Sequence, residues 1–139
     1  MTEELGAEFA EELKNNGIKT DDGVMFAALY GDLGAGKTAF VRGMASVIAP
    51  AAQVFSPTYT VVNEYRSEDG CLCHCDMYRI SDEDDLMSIG FYDYTDCVIA
   101  AEWCENIPYA LPDVRYEVRI EKDILDDNKR RITVERVGC

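Results

Sequence analysis

The chain has 139 residues, 47% apolar and 29% charged, which excludes a disordered chain and suits a single domain over 1–139 with one core. No apolar run nears the ~20 residues that span a bilayer, and Met1-Thr2-Glu3-Glu4 is acidic where a leader would be basic, so a cytoplasmic protein with no membrane attachment is expected. Thirteen basic against 27 acidic residues give a net charge of −14, which disfavours direct stable nucleic-acid binding and suits a basic protein partner, although solubility alone accounts for it equally well.

Along the chain, Leu5, Phe9 and Leu13 recur every four residues over 2–16, an amphipathic helix stopped by Asn16-Gly17. Residues 24–30 form an unbroken apolar run too short for a helix before Gly31, which predicts a strand buried on both faces. Residues 37–48 carry Phe40, Val41, Met44, Ala45 and Ile48 at helical spacing and end before Pro50. Two strands over 58–65 and 71–77 around the turn Ser67-Glu68-Asp69-Gly70 read as a hairpin. Ser81 is expected to cap an acidic helix through Ser88, with Asp82, Glu83 and Asp84 in its first turn. A short apolar strand over 97–101 follows, and 116–121 with 131–137 form a last hairpin around Asp126-Asp127-Asn128. The predicted class is α/β, a P-loop NTPase-like mixed sheet with flanking helices and antiparallel hairpins.

The chemistry concentrates in Gly31-Asp32-Leu33-Gly34-Ala35-Gly36-Lys37-Thr38, which fits G-x-x-x-x-G-K-S/T in full. Its glycines let successive N–H groups turn inward on phosphate oxygens, and the following helix adds the positive end of its dipole. Lys37 supplies a charge to the β and γ phosphates, and the Thr38 hydroxyl can ligate Mg2+. The strand before the motif and the helix after it are the context such a loop requires. A P-loop also needs an acid at the end of an apolar strand, and Glu102 after Val98-Ile99-Ala100-Ala101 supplies one. It could hold the metal through water or activate the attacking water. Asp76, at the end of the hairpin strand, is the other candidate, and either acid could equally be a solvated strand-end carboxylate.

Cys71, Cys73 and Cys75 share one face of a strand, with His74 on the other. Same-face positions are roughly 7 Å apart, too spread for three thiolates to meet on one zinc. No second Cys-x-x-Cys pair completes a site, so the cysteines are expected to be small buried apolar residues. A Cys-His dyad between strand neighbours also fails, because they face opposite ways.

Four segments taken in order resemble the TsaE (YjeE) family: the P-loop, Ser56-Pro57-Thr58-Tyr59, His74-Cys75-Asp76-Met77-Tyr78-Arg79, and Glu102-Trp103. The P-loop is common to many families, whereas the other three in this order are far more specific. The resemblance implies an ATPase of bacterial tRNA modification that works with TsaB-like and TsaD-like partners to make threonylcarbamoyladenosine beside the anticodon. It implies slow ATP hydrolysis without those partners, and hydrolysis that supports turnover of the partner complex. By position, Gly31 to Thr38 bind the phosphates, Thr38, Asp76 and Glu102 surround Mg2+, and Asp76 and Glu102 serve catalysis. Thr58 lies in a segment like a switch loop. Tyr59, Cys75 and Cys104 depart from the residues usual in the family, but no chemical group is lost.

The alternative is a small-molecule P-loop kinase with Glu102 deprotonating an acceptor, yet no long segment remains for an arginine-bearing lid. A GTP-dependent switch would carry Asn-Lys-x-Asp after a strand. Asn128-Lys129-Arg130-Arg131 lacks the acid and lies in a hairpin turn.

Overall fold

The computed structural model describes residues 2–31, 36–50, 53–55, 62–68, 70–78, 80–122 and 130–138. Strand β1 (Met25–Tyr30) is the centre of the sheet. Phe26 and Ala28 point into one apolar cluster, while Ala27 and Leu29 point into another. Burial on both faces is why this segment is apolar without alternation.

Strand β1 runs parallel to β5 (Val98–Glu102) on one side and to β6 (Arg115–Lys122) on the other. Beyond β5 lies β4 (Gly70–Asp76), also parallel. Antiparallel strands complete the edges: β3 (Val62–Ser67) on β4, β2 (Gln53–Phe55) on β3, and β7 (Arg130–Val137) on β6. The seven strands lie in the order β2-β3-β4-β5-β1-β6-β7. This is the expected α/β arrangement, with a parallel centre and antiparallel hairpins.

Helices α1 (Thr2–Asn16) and α2 (Lys37–Ile48) cover one face. Phe9, Leu13, Phe40 and Met44 pack there against Leu29, Leu72, Val98 and Val118. The two helices cross at Gly6 and Gly43, where only hydrogen leaves room. A Cβ on Gly43 would stand 1.8 Å from the Glu3 carbonyl oxygen, and one on Gly6 2.1 Å from that of Phe40. Helix α1 thereby clamps the helix that begins with Lys37. The other face is covered by α3 (Glu83–Ser88) and by short 3-10 turns at Phe91–Asp93, Cys104–Asn106 and Pro108–Ala110. Leu86, Phe91 and Ile107 pack there on Phe26, Cys73, Cys75 and Ile99.

Three details differ from the sequence reading. Strand β2 was not anticipated, because three residues show no periodicity; pairing with β3, from Gln53↔Arg66 to Phe55↔Glu64, makes it a strand. The cap of α3 is Asp82 rather than Ser81: its carboxylate accepts from the Asp85 N–H at 3.0 Å, and Asp85 in turn accepts from the Ser81 N–H at 2.9 Å. The reciprocal pair satisfies two N–H groups that the helix itself leaves free. Finally, β5 runs one residue later than predicted and includes Glu102. The hairpin strand predicted from residue 58 is paired from Val62 onward, and 56–61 lie outside the described residues.

Strands β4, β5 and β1 end level with one another. Asp76 lies opposite Glu102, and Glu102 opposite Leu29. Open parallel sheets bind ligands beyond the carboxyl ends of their strands, so this edge is where a site belongs. Among the described residues no helix is long and apolar enough to cross a membrane.

Candidate active site

At the carboxyl end of β1 the chain leaves through Gly31, and it enters α2 through Gly36 at φ 103°. A side chain at Gly36 would be strained at that angle, which is the physical need for the second glycine of the motif. Lys37 follows as the first residue of α2 and is buried, at 8% exposure. Its Nζ donates to the Gly31 carbonyl at 2.9 Å and lies 3.7 Å from Glu102 Oε1. The lysine is therefore folded back across the mouth of the loop.

Glu102 reaches this point because residues two apart on a strand share a face. His74, Asp76 and Glu102 all fall on the α2 side of the sheet, with His74 opposite Ala100 and Asp76 opposite Glu102. His74 Nε2 donates to Glu102 Oε2. Burial alone would raise the Glu102 pKa, but the hydrogen bond from His74 and the charge of Lys37 outweigh it. They hold the carboxyl below the usual carboxylate range, so it stands as an oriented anion.

Trp103 ends β5 in the left-handed conformation, φ 60° and ψ 40°. For a bulky residue this stores about 1–3 kcal/mol of strain. The bend brings the indole against Lys37, with Nζ 5.5 Å from its ring centre, and against Tyr78, with ring centres 5.0 Å apart. Asn106 locks the corner: its side-chain amide donates to the carbonyls of Met77 at 2.9 Å and Tyr78 at 3.2 Å. Packing beside the site is thus the observed role of Trp103.

The structure brings Lys37 and Glu102 into contact. Asp76 is exposed and aligned with Glu102, its Oδ1 accepting from the Tyr78 N–H at 3.0 Å. Thr38 is exposed on the first turn of α2, with no hydrogen bond or ion pair to these acids among the described residues. Asp32, Leu33, Gly34, Ala35 and Thr58 lie outside the described residues, as does Arg79. His74 and Asn106 are site residues that sequence reasoning did not assign. His74 had a usable signal: it stands two residues before Asp76, which puts both on one strand face.

The donors present fit a hard divalent cation beside a phosphate chain. Two carboxylates at neighbouring strand ends and a hydroxyl on the adjoining helix are oxygen ligands of the kind Mg2+ takes. The Lys37 ammonium, buried against a carboxylate counter-ion, is the one lysine or arginine cation of this cluster among the described residues.

Comparison with known proteins gives one consistent answer. The family model described as threonylcarbamoyl adenosine biosynthesis protein TsaE matches residues 1–132. The chain is 39% identical over 125 residues to the tRNA threonylcarbamoyladenosine biosynthesis protein TsaE of Haemophilus influenzae, covering 88% of this chain and 76% of that one. It is 37% identical to the protein of the same name from Aquifex aeolicus, over 97% of this chain and 89% of the other. The crystal structure of YdiB from Bacillus subtilis superposes with a TM-score of 0.69 at 29% identity, covering 98% of this chain and 81% of that one.

Proposed function

Because this chain belongs to the TsaE family of threonylcarbamoyl adenosine biosynthesis proteins, we propose that it is the ATP-binding and ATP-hydrolysing subunit of tRNA threonylcarbamoyladenosine modification. The observation that carries this reading is the buried Lys37–Glu102 pair between the start of α2 and the end of β5, backed by His74. It takes Mg2+-ATP, and TsaB-like and TsaD-like proteins are its partners.

Lys37 binds the β and γ phosphates, releasing Gly31 and Glu102 as it does so. Mg2+, when bound, would neutralise charge on the phosphates; Thr38 and Asp76 would hold it, with Glu102 reaching it only through a water molecule. The freed Glu102 carboxylate, still oriented by His74, accepts a hydrogen bond from the attacking water and receives its proton. Trp103 lays its ring beside the Lys37 ammonium, and Tyr78 packs on the outer side of the indole.

Among the described residues no arginine contacts this cluster, and the charge that builds on a transferring phosphoryl group needs a cation. A group supplied in trans can be worth roughly 10³–10⁵ in rate. The isolated chain should therefore hydrolyse ATP slowly and a partner complex should accelerate it. The net charge of −14 draws in a basic partner surface, so acceleration should weaken with salt. The test is steady-state phosphate release with and without the two partner proteins at low and high salt. Full-speed turnover by the isolated chain, indifferent to partners, would overturn this reading in favour of a small-molecule kinase.

A further inference from the structure

At the opposite end of the sheet, where β1, β4 and β5 begin, three cysteines converge. Cys71 and Cys73 lie on β4, and Cys97 immediately precedes β5. Their sulphurs all lie within 4.8 Å of one another, with Cys71 to Cys73 at 3.9 Å and Cys73 to Cys97 at 4.0 Å. As the sequence reading expects, Cys75 does not join Cys71 and Cys73, and Cys73, Cys75, Cys97 and Cys104 are buried free thiols. What the spacing does not show is how close Cys71 and Cys73 come and that Cys97 joins them. The separation of roughly 7 Å between same-face strand positions holds for their Cα atoms, but the two Cβ–Sγ bonds lean together and close the gap. The third sulphur comes from Cys97 on the neighbouring strand rather than from Cys75, which points into the core beside Cys104.

Two of the three separations match a thiolate site, and the third lies within 4.8 Å. A zinc–sulphur distance of about 2.3 Å puts sulphurs about 3.8 Å apart in a tetrahedral site and about 4.0 Å apart in a trigonal one. A disulfide would use two of the three sulphurs and leave the third beside it, whereas one ion uses all three. The site is also reachable. A cleft of about 170 Å³ opens at this end of the sheet, lined by Cys71 and Cys97 together with Lys14, Lys19, Gly23 and Asp96. Cys71 is half-buried at its wall, while Cys73 closes the back of the trio. Arg66 is the cation that acts on Cys71 and Cys97, and Glu64 opposes it. The cleft leaves room for a water molecule as fourth ligand.

We propose that Cys71, Cys73 and Cys97 bind one zinc ion, which clips the start of β4 to the start of β5. On binding, each ligating S–H loses its proton to solvent and the sulphur lone pair forms the bond to zinc, with no change of oxidation state. The site is separate from the candidate active site: Cys71 and Asp76 are five residues apart on β4, about 17 Å of strand.

The test is titration of the reduced full chain with Co2+ and then Zn2+. Cobalt should produce a sulphur-to-metal charge-transfer band, and zinc should remove it at one ion per chain. His74, Asp76 and Glu102 also attract such ions, but through nitrogen and oxygen, and give no sulphur band. Cys71→Ser and Cys97→Ser should each abolish the band and lower zinc affinity by at least about 100-fold. Cys104→Ser, buried on the same face but hydrogen-bonded to the Ala101 carbonyl, should leave both unchanged. Cys71 is the most exposed of the trio, so its variant keeps the test decisive if Cys97→Ser does not fold. No sulphur band in the wild type, or a band that survives in folded Cys71→Ser, would overturn the proposal.

Discussion

Replacing Glu102 by Ala separates binding from chemistry at the candidate site, and the structure sets the size of each effect. Glu102 Oε1 lies 3.7 Å from Lys37 Nζ, and both side chains are about nine-tenths buried. At an effective dielectric of 20 the attraction is about 4.5 kcal/mol before desolvation is counted. Part of that is offset because Lys37 keeps the Gly31 carbonyl. A net loss of about 3 kcal/mol remains, the low end for a buried charge left without its partner, which lowers Tm by about 10 °C in a chain of this size. Nucleotide binding should hold or tighten, since Lys37 no longer has to exchange a carboxylate for phosphate. Hydrolysis should fall by about 10²–10⁴, the usual contribution of a positioned base. The assay pairs fluorescent-nucleotide titration with steady-state phosphate release in the presence of the partner proteins. A folded variant that hydrolyses ATP at the wild-type rate would refute the role given to Glu102.

Lys37→Ala should remove most nucleotide binding while the fold survives, because Ala is well tolerated in the first turn of a helix; near-native affinity in a titration would count against the P-loop assignment. Gly43→Ala should destabilise the protein by about 1–3 kcal/mol in a denaturant melt. The gain in helix propensity, about 1 kcal/mol, is smaller than the cost of pushing a methyl group against a backbone oxygen that cannot rotate away. Asp76→Ala should bind nucleotide with a weaker dependence on magnesium concentration, read from titrations across a magnesium series.

Local signals in the chain make most of the elements legible and point to candidate site residues. The spacing of four between Leu5, Phe9 and Leu13 placed α1 at the observed bounds, and the unbroken apolar run before Gly31 identified a strand with two buried faces. Both patterns are written in the chain because burial acts on each residue separately. The phosphate-loop pattern points to Lys37, and the ends of two strands offer Asp76 and Glu102.

Pairing between distant segments is what no local pattern carries. That Asp76 stands opposite Glu102 depends on the register of β4 against β5, fixed by which apolar face each strand turns to the core. The same register makes His74 the partner of Glu102 and bends Trp103 over Lys37. It also slides Cys97 beside Cys71 and Cys73, a trio whose members stand up to 26 residues apart in sequence. Sequence spacing fixes distances only within an element; across elements, the packing of two sheet faces under their helices decides which side chains meet.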